Sequence, residues 1–141
     1  KIENPADVSL SIKGEKFTGG FCLNVGNPHI VFFVDDCFKY DLKKIGPLIE
    51  NYELFPEKIN VTFAHIKDSS NIMVNVWERG AGLTKACGTA ACATGVVAFE
   101  KKLTGNNTNI HFKDGFLNIK YSHVISMTGP VSNIKEINIK L

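Results

Sequence analysis

A cysteine that follows a glycine-rich, charge-containing segment is the residue in this sequence that most directly suggests chemistry. In WERGAGLTKACGT, Glu78 and Arg79 precede Cys87, and small uncharged residues follow it up to Glu100. Cys87 could be a buried structural thiol, a redox partner of Cys92, or a reactive group at a helix N-terminus. At a helix N-terminus the thiolate is stabilised, as a cysteine base or nucleophile requires.

The positions of the cysteines weigh against a redox pair. Cys92 would lie inside a helix that begins after Cys87, on a different face and more than a turn away, so a disulfide between them would be strained. Cys22, Cys37 and Cys92 fit the ordinary interpretation of inert buried thiols. The spacings are not those of zinc knuckles, so we expect no metal site. For Cys87 we favour function.

The residues after Cys87 predict an enclosed central helix. Between Gly88 and about Lys102, no charged residue occurs before Glu100. Because a surface helix carries a polar face, a helix that is apolar all round must be surrounded, and we expect a sheet wrapped around it. Its unpaired N–H groups would then form an anion site, to which Thr89 adds a hydroxyl.

Most of the remaining chain is typical of strands, which gives an α+β arrangement. A second helix is predicted from Asp41, which can cap it, although Pro47 should disturb that helix or delay its start. The strand-like segments are VSLSIKG, FCLNVG, HIVFFVDD, KINVTFAHI, NIMVNVWE, NIHF, FLNIKY, VISMTG and IKEINIKL. The apolar run HIVFFV indicates a strand buried on both faces.

Composition limits the class of protein. The 141 residues are 44% apolar and 21% charged, and a net charge of +2 is too small to indicate nucleic acid binding. The sequence has neither the roughly 20 apolar residues of a membrane span nor a signal peptide at KIENPADVSL, so we expect a cytoplasmic protein without a membrane partner. Because the chain begins at Lys1 and not at Met, we expect it to be part of a longer polypeptide.

Three separated segments resemble one family. GNPHIVFFVDD at 26–36, INVTFAHI at 59–66 and WERGAGLTKACGTAACATG at 77–95 are similar, in this order, to the C-terminal half of diaminopimelate epimerases. The resemblance implies one half of a fold of two similar halves, each a curved, mostly antiparallel, barrel-like sheet around a central helix. It also implies interconversion of LL- and meso-diaminopimelate in lysine and peptidoglycan precursor biosynthesis, without a cofactor, by one cysteine from each half.

The resemblance implies roles for residues at matching positions. Cys87 would be the second catalytic cysteine, and His29 and Glu78 would help to set the protonation states of the thiols. The implied substrate-binding residues are Asn27, Asn60, Glu78, Arg79, Gly88 and Thr89. Ordinary alternatives exist: Asn27 could shape a turn, His29 could be a structural histidine, and Glu78 with Arg79 could be a solvated pair. The motifs favour function for each.

Two departures from the family pattern matter. Ala90 stands where the family usually has glycine, which a helix tolerates. The Cys-Gly-Asn-Gly segment that carries the other catalytic cysteine has no counterpart in the sequence. We therefore expect this chain alone to be inactive and to need the N-terminal half as its partner.

The same comparison divides the chain. Residues 1–130 would be the C-terminal catalytic half, and residues 131–141 a terminal strand that returns to the N-terminal half in the family. An exposed strand edge there would favour a homodimer. Two other functions stay open: half of a related proline or hydroxyproline racemase or epimerase, and a non-catalytic module that binds an anion or amino acid.

Overall fold

The computed structural model describes residues 6–122, 124–129 and 135–137. In these residues ten strands form one sheet, accompanied by two helices. The strands are β1 (Ala6–Ile12), β2 (Glu15–Asn24), β3 (Pro28–Phe33), β4 (Asn60–Asp68), β5 (Asn71–Glu78), β6 (Gly82–Thr84), β7 (Asn107–Phe112), β8 (Gly115–Tyr121), β9 (Ile125–Thr128) and β10 (Lys135–Ile137). The helices are α1 (Leu42–Glu50) and α2 (Gly88–Glu100).

The sheet follows the order β1-β2-β3-β4-β5-β7-β8-β9-β10, with β6 paired to β5. Only two neighbouring pairs in the described residues are parallel, β3 with β4 and β5 with β7. A parallel pair needs a crossover connection, and α1 and α2 lie in those two connections. The predicted α+β fold with a mostly antiparallel sheet is confirmed, and over the described residues the sheet is open.

Helix α2 lies against one face of the sheet and is enclosed, as predicted. Every residue from Ala90 to Ala98 is buried, and the helix contacts β2, β3, β4, β7, β8 and β9. The Thr94 hydroxyl, the polar group in this stretch, donates to the Ala90 carbonyl oxygen at 2.7 Å. The helix ends at Glu100, two residues before the expected end.

Helix α1 packs on the opposite face. Asp41 caps it as predicted, by accepting a hydrogen bond from the Lys43 N–H at 3.1 Å. The expectation that Pro47 would disturb or delay this helix was wrong, because the helix begins at Leu42 and runs through Pro47. The carbonyl that loses its partner belongs to exposed Lys43, where water can satisfy it.

Strand β3 is buried by both helical layers, as its apolar run predicted. Ile30 and Phe32 belong to the apolar cluster that includes α1, whereas Val31 belongs to the cluster around α2. In the described residues no helix is long and apolar enough to cross a membrane. The expected terminal strand at 131–141 lies outside the described residues except for β10, which pairs with β9.

Close packing of α2 gives a test of its enclosure. A Cβ at Gly95 would lie 2.9 Å from Ile119 Cγ2, and Ile119 is buried. We expect Gly95→Val to lower the free energy of unfolding by about 2–3 kcal/mol, because overpacking a core costs this much. Urea denaturation followed by circular dichroism measures it.

Gly105→Val is the matched control, since a Cβ at exposed Gly105 meets no atom within 4 Å. Its effect should stay within about 0.5 kcal/mol. Equal stability of the two variants would show that α2 is not tightly enclosed.

Candidate active site at the N-terminus of the central helix

The structure places Cys87 at the N-cap of α2. The chain leaves β5 at Glu78, turns through Gly80 with φ of +77°, and returns along β6. Cys87 is extended, with φ of −141° and ψ of 109°, and its carbonyl accepts the first helical hydrogen bond from the Ala91 N–H at 3.0 Å. Its side chain is 8% exposed. The glycine-rich turn therefore delivers a nearly buried thiol to the start of the helix, as the sequence predicted.

The first-turn N–H groups of α2 are available to an anion. Cys87 makes no side-chain capping hydrogen bond to them in the part of the chain that the structure describes. At Gly88 an added Cβ would come 3.1 Å from Met127 Sδ, so glycine allows β9 to approach the helix start closely. Backbone N–H groups and the helix dipole together favour a carboxylate or phosphate at this position.

Three hydrogen bonds connect Cys87 to His29. Cys87 Sγ lies 3.5 Å from Thr89 Oγ1, and Asn27 Nδ2 donates to Thr89 Oγ1 at 3.3 Å. Asn27 Oδ1 lies 2.9 Å from His29 Nε2. A chain of hydrogen bonds thus connects the turn before β3 to the first turn of α2, although their residues are far apart in sequence.

The Asn27 amide fixes the direction of the hydrogen bonds between His29 and Thr89. Because Asn27 donates through Nδ2, its Oδ1 is the acceptor and His29 Nε2 must carry the proton. Thr89 Oγ1 accepts from Asn27, which leaves its own hydrogen free to point at Cys87 Sγ. A hydroxyl that donates to sulfur would act on a thiolate in the same sense as the helix dipole.

His29 is neutral at physiological pH. Its side chain is fully buried, and burial lowers its pKa from 6.5 to about 4, with a further contribution from the Arg79 charge. With the proton on Nε2, its Nδ1 is an acceptor, and this atom has no hydrogen-bond partner among the described residues. In this state His29 orients Asn27 and carries no charge.

Three more predicted site residues lie at the same end of the sheet as these hydrogen bonds: Asn60, Glu78 and Arg79. His29 and Asn60 are paired across the parallel strands β3 and β4, while Glu78 ends the neighbouring antiparallel strand β5. Glu78 is half-buried and Arg79 is exposed. The Arg79 guanidinium donates through Nη1 to the Glu57 carbonyl oxygen at 3.2 Å. Neighbouring strand ends therefore bring these predicted site residues to one end of the sheet.

The Asn60 side chain forms hydrogen bonds with backbone groups through both its oxygen and its nitrogen. Its Oδ1 accepts the Arg79 backbone N–H at 2.7 Å, and its Nδ2 donates to the Pro28 carbonyl oxygen at 2.9 Å. The side chain is 2% exposed. In this structure Asn60 therefore connects two backbone segments. The expectation that it binds substrate stays a prediction.

The other three cysteines have environments that disfavour the thiolate. Burial raises the pKa of Cys22 to about 11 and those of Cys37 and Cys92 to about 12. A nearby Asp36 adds to the shift at Cys37, and Cys87 adds to the shift at Cys92. All four cysteines are free. In the described part of the chain, no group of three or more His, Cys, Asp and Glu residues is arranged to hold a metal ion.

Sequence analysis missed Glu50, the last residue of α1. It is 7% exposed, and its carboxylate accepts the Trp77 indole N–H at 2.9 Å and the Gly80 N–H at 3.1 Å. One signal was present in the sequence, because an acidic residue at a helix C-terminus opposes the dipole and needs another reason to be there.

The lowered pKa of His29 makes stability depend on pH. Its folded pKa of about 4 lies below the unfolded value of 6.5, so the unfolded chain binds more protons and stability falls as pH drops from 6.5 towards 4. We expect the free energy of unfolding in urea to fall by about 2 kcal/mol between pH 7.5 and pH 5 from this residue.

In His29→Gln most of this decrease in the free energy of unfolding should disappear. His111→Gln is the control, because the pKa of half-buried His111 is also lowered by burial, yet this histidine lies away from the site and bonds Asn71. If the decrease in stability persists in His29→Gln and disappears in His111→Gln, His29 is not its cause.

Comparison with known proteins gives a family match over most of the chain. Residues 21–134 match the family model described as diaminopimelate epimerase. The chain is 59% identical over 128 residues to diaminopimelate epimerase of Pelagibacter ubique (strain HTCC1062), over 89% of this chain and 47% of that protein. It is 50% identical over 111 residues to diaminopimelate epimerase of Rhodopseudomonas palustris (strain TIE-1), over 76% of this chain and 38% of that protein. The chain spans less than half the length of these relatives.

Solved structures show the same fold at low sequence identity. A phenazine biosynthesis protein of the PhzF family from Enterococcus faecalis aligns with a TM-score of 0.53 and 15% identity, over 72% of this chain and 37% of that one. A PhzF family protein from Bacillus anthracis aligns with a TM-score of 0.51 and 16% identity, over 90% and 40%. Since the family model matches 21–134, which is most of the sequence, this chain belongs to the diaminopimelate epimerase family.

Proposed function

We propose that this chain is the C-terminal half of an enzyme that interconverts LL- and meso-diaminopimelate, and that Cys87 is one of its two proton-transfer groups. The observation that carries the proposal is the placement of Cys87 at the open N-terminus of an enclosed helix, beside the Thr89 hydroxyl. Family membership and the names of the relatives support the substrate.

The helix N-terminus would hold the α-carboxylate of the substrate. The N–H groups of Gly88 and Thr89 lie in the first turn of α2, next to the thiol. When the α-proton leaves, negative charge spreads onto the α-carboxylate, so fixed N–H donors at that group stabilise the carbanion more than the substrate. The same anion site therefore serves both binding and catalysis.

Proton transfer then needs two opposed thiols. Either Cys87 as a thiolate takes the α-proton, which breaks a C–H bond and forms an S–H bond, or as a thiol it gives its proton to the carbanion. In the first case the electron pair left on the α-carbon accepts a proton from a second cysteine on the opposite face, and in the second case that cysteine is the thiolate that has taken the α-proton. Configuration inverts, one proton enters for each that leaves, and no cofactor takes part. The sequence lacks a Cys-Gly-Asn-Gly segment, so the second cysteine would belong to the N-terminal half.

Charged residues at the same end of the sheet as the thiol would orient the substrate. Glu78 is the last residue of β5 and Arg79 follows it, and the two would contact the amino and carboxylate groups of diaminopimelate. His29 would act through Asn27 and Thr89, by keeping the hydroxyl directed at Cys87. The low exposure of Cys87, 8%, favours this chemistry because excluding water strengthens each electrostatic contact.

Some expectations from the sequence stay predictions. These are a boundary near residue 130, pairing of two copies through a strand edge, and a cytoplasmic location.

Activity of the two halves together tests the proposal. The chain alone should not convert LL- to meso-diaminopimelate. Joined to the N-terminal half of the Pelagibacter ubique relative, it should do so, because both thiols are then present. Cys87→Ser in the joined protein should lower kcat by about 10²–10⁴-fold, the range for loss of a positioned proton-transfer group.

Cys22→Ser is the matched control, since Cys22 is a half-buried thiol on β2 and should leave turnover unchanged. Turnover by the chain alone, above its Cys87→Ser variant, would contradict the need for a second half. Turnover of the joined protein that survives Cys87→Ser would contradict the role of Cys87.

A further inference from the structure

Glu50 is a buried carboxylate whose two oxygens both serve the turn that follows β5. Its Oε1 accepts from Trp77 Nε1 at 2.9 Å, and its Oε2 accepts from the Gly80 N–H at 3.1 Å. Only 7% of the residue is exposed. A buried carboxylate is costly unless it is hydrogen-bonded, and bonds to a charged acceptor are stronger than neutral ones. These two bonds therefore bind the end of α1 firmly to the turn.

Packing joins α1 to the same indole ring. Gly46 lies one helical turn before Glu50, and a Cβ at Gly46 would overlap Trp77 Cγ and Cδ2. The ring also extends beneath the turn, since a Cβ at Gly82 would lie 3.4 Å from Trp77 Cη2. Helix α1 thus fixes Trp77 by contact at Gly46 and by a hydrogen bond at Glu50.

Side chains accept hydrogen bonds from two successive backbone N–H groups of the turn. The Arg79 N–H is accepted by Asn60 Oδ1 at 2.7 Å, and the next N–H, of Gly80, is accepted by Glu50. The Ala81 N–H closes the turn on the Glu78 carbonyl oxygen at 3.0 Å. Side chains from β4 and α1 therefore determine where the backbone of Glu78 and Arg79 lies.

We propose that Glu50 is a positioning residue for the substrate, which acts by holding the Glu78–Arg79 turn. This inference rests on the proposed function, in which Glu78 and Arg79 contact the amino and carboxylate groups of the substrate. Cys87 belongs to α2 and to a separate set of hydrogen bonds through Thr89 and Asn27. Loosening the turn should therefore weaken substrate binding more than proton transfer.

Glu50→Gln tests this with little change in volume. Glutamine replaces one carboxylate oxygen with an NH₂ group, so it cannot accept an N–H at both positions. In the joined two-half protein we expect KM for diaminopimelate to rise about tenfold, the effect of losing one good hydrogen bond, while kcat changes less than about threefold. Glu53→Gln is the control, because this substitution makes the same chemical change at an exposed position three residues away.

Two kinetic results would overturn the proposal. One is a KM for Glu50→Gln equal to that of Glu53→Gln, which would mean that the turn needs no carboxylate. The other is a lower kcat with unchanged KM, which would place Glu50 in the proton-transfer step.

Hydrogen exchange on the chain by itself separates this proposal from the proposed function. In Glu50→Gln the Gly80 amide should exchange at least about tenfold faster, because its acceptor is lost. The Ala91 amide, bonded to the Cys87 carbonyl in α2, should not change. If the unsubstituted joined protein were inactive, the proposed function would fail, and unchanged exchange at Gly80 would overturn the positioning of the turn independently.

Discussion

Enclosure of α2 by the sheet is the constraint on which the rest of the structure depends. The helix has no polar face, so it is stable only where strands cover it, and nine consecutive residues from Ala90 to Ala98 are buried. Enclosure leaves only the two ends of the helix near solvent. Its positive N-terminus is thereby directed to the end of the sheet where Cys87, Thr89 and Asn27 meet.

The two parallel strand pairs explain why the site forms at that end. Each requires a helical crossover, and these crossovers place α2 on one face of the sheet and α1 on the other. Helix α2 presents the thiol and the N–H groups of its first turn, while α1 presents Glu50 to the turn after β5. The proposed catalytic group and the proposed substrate-positioning group are thus supported from opposite sides of one sheet.

Patterns that depend on neighbouring residues were predictable from sequence, and contacts between distant residues were not. The charge-free run placed α2 to within two residues of its end, and the apolar run of β3 indicated burial on both faces. The bond from Asn27 to Thr89 joins residues 62 apart, and the bond from Trp77 to Glu50 joins residues 27 apart. Pro47 was misjudged because the cost of a proline in a helix depends on whether water can reach the freed carbonyl, which the fold decides.

The rate of alkylation of each cysteine by iodoacetamide at pH 7.5, followed by mass spectrometry of the peptides, tests the proposed reactivity of Cys87 most directly. We expect Cys87 to react at least about tenfold faster than Cys22, Cys37 and Cys92, whose raised pKa values keep them as thiols. Access alone would favour Cys22, which is less buried than Cys87. Labelling of Cys22 before Cys87 would therefore contradict a reactive cysteine at the N-terminus of α2.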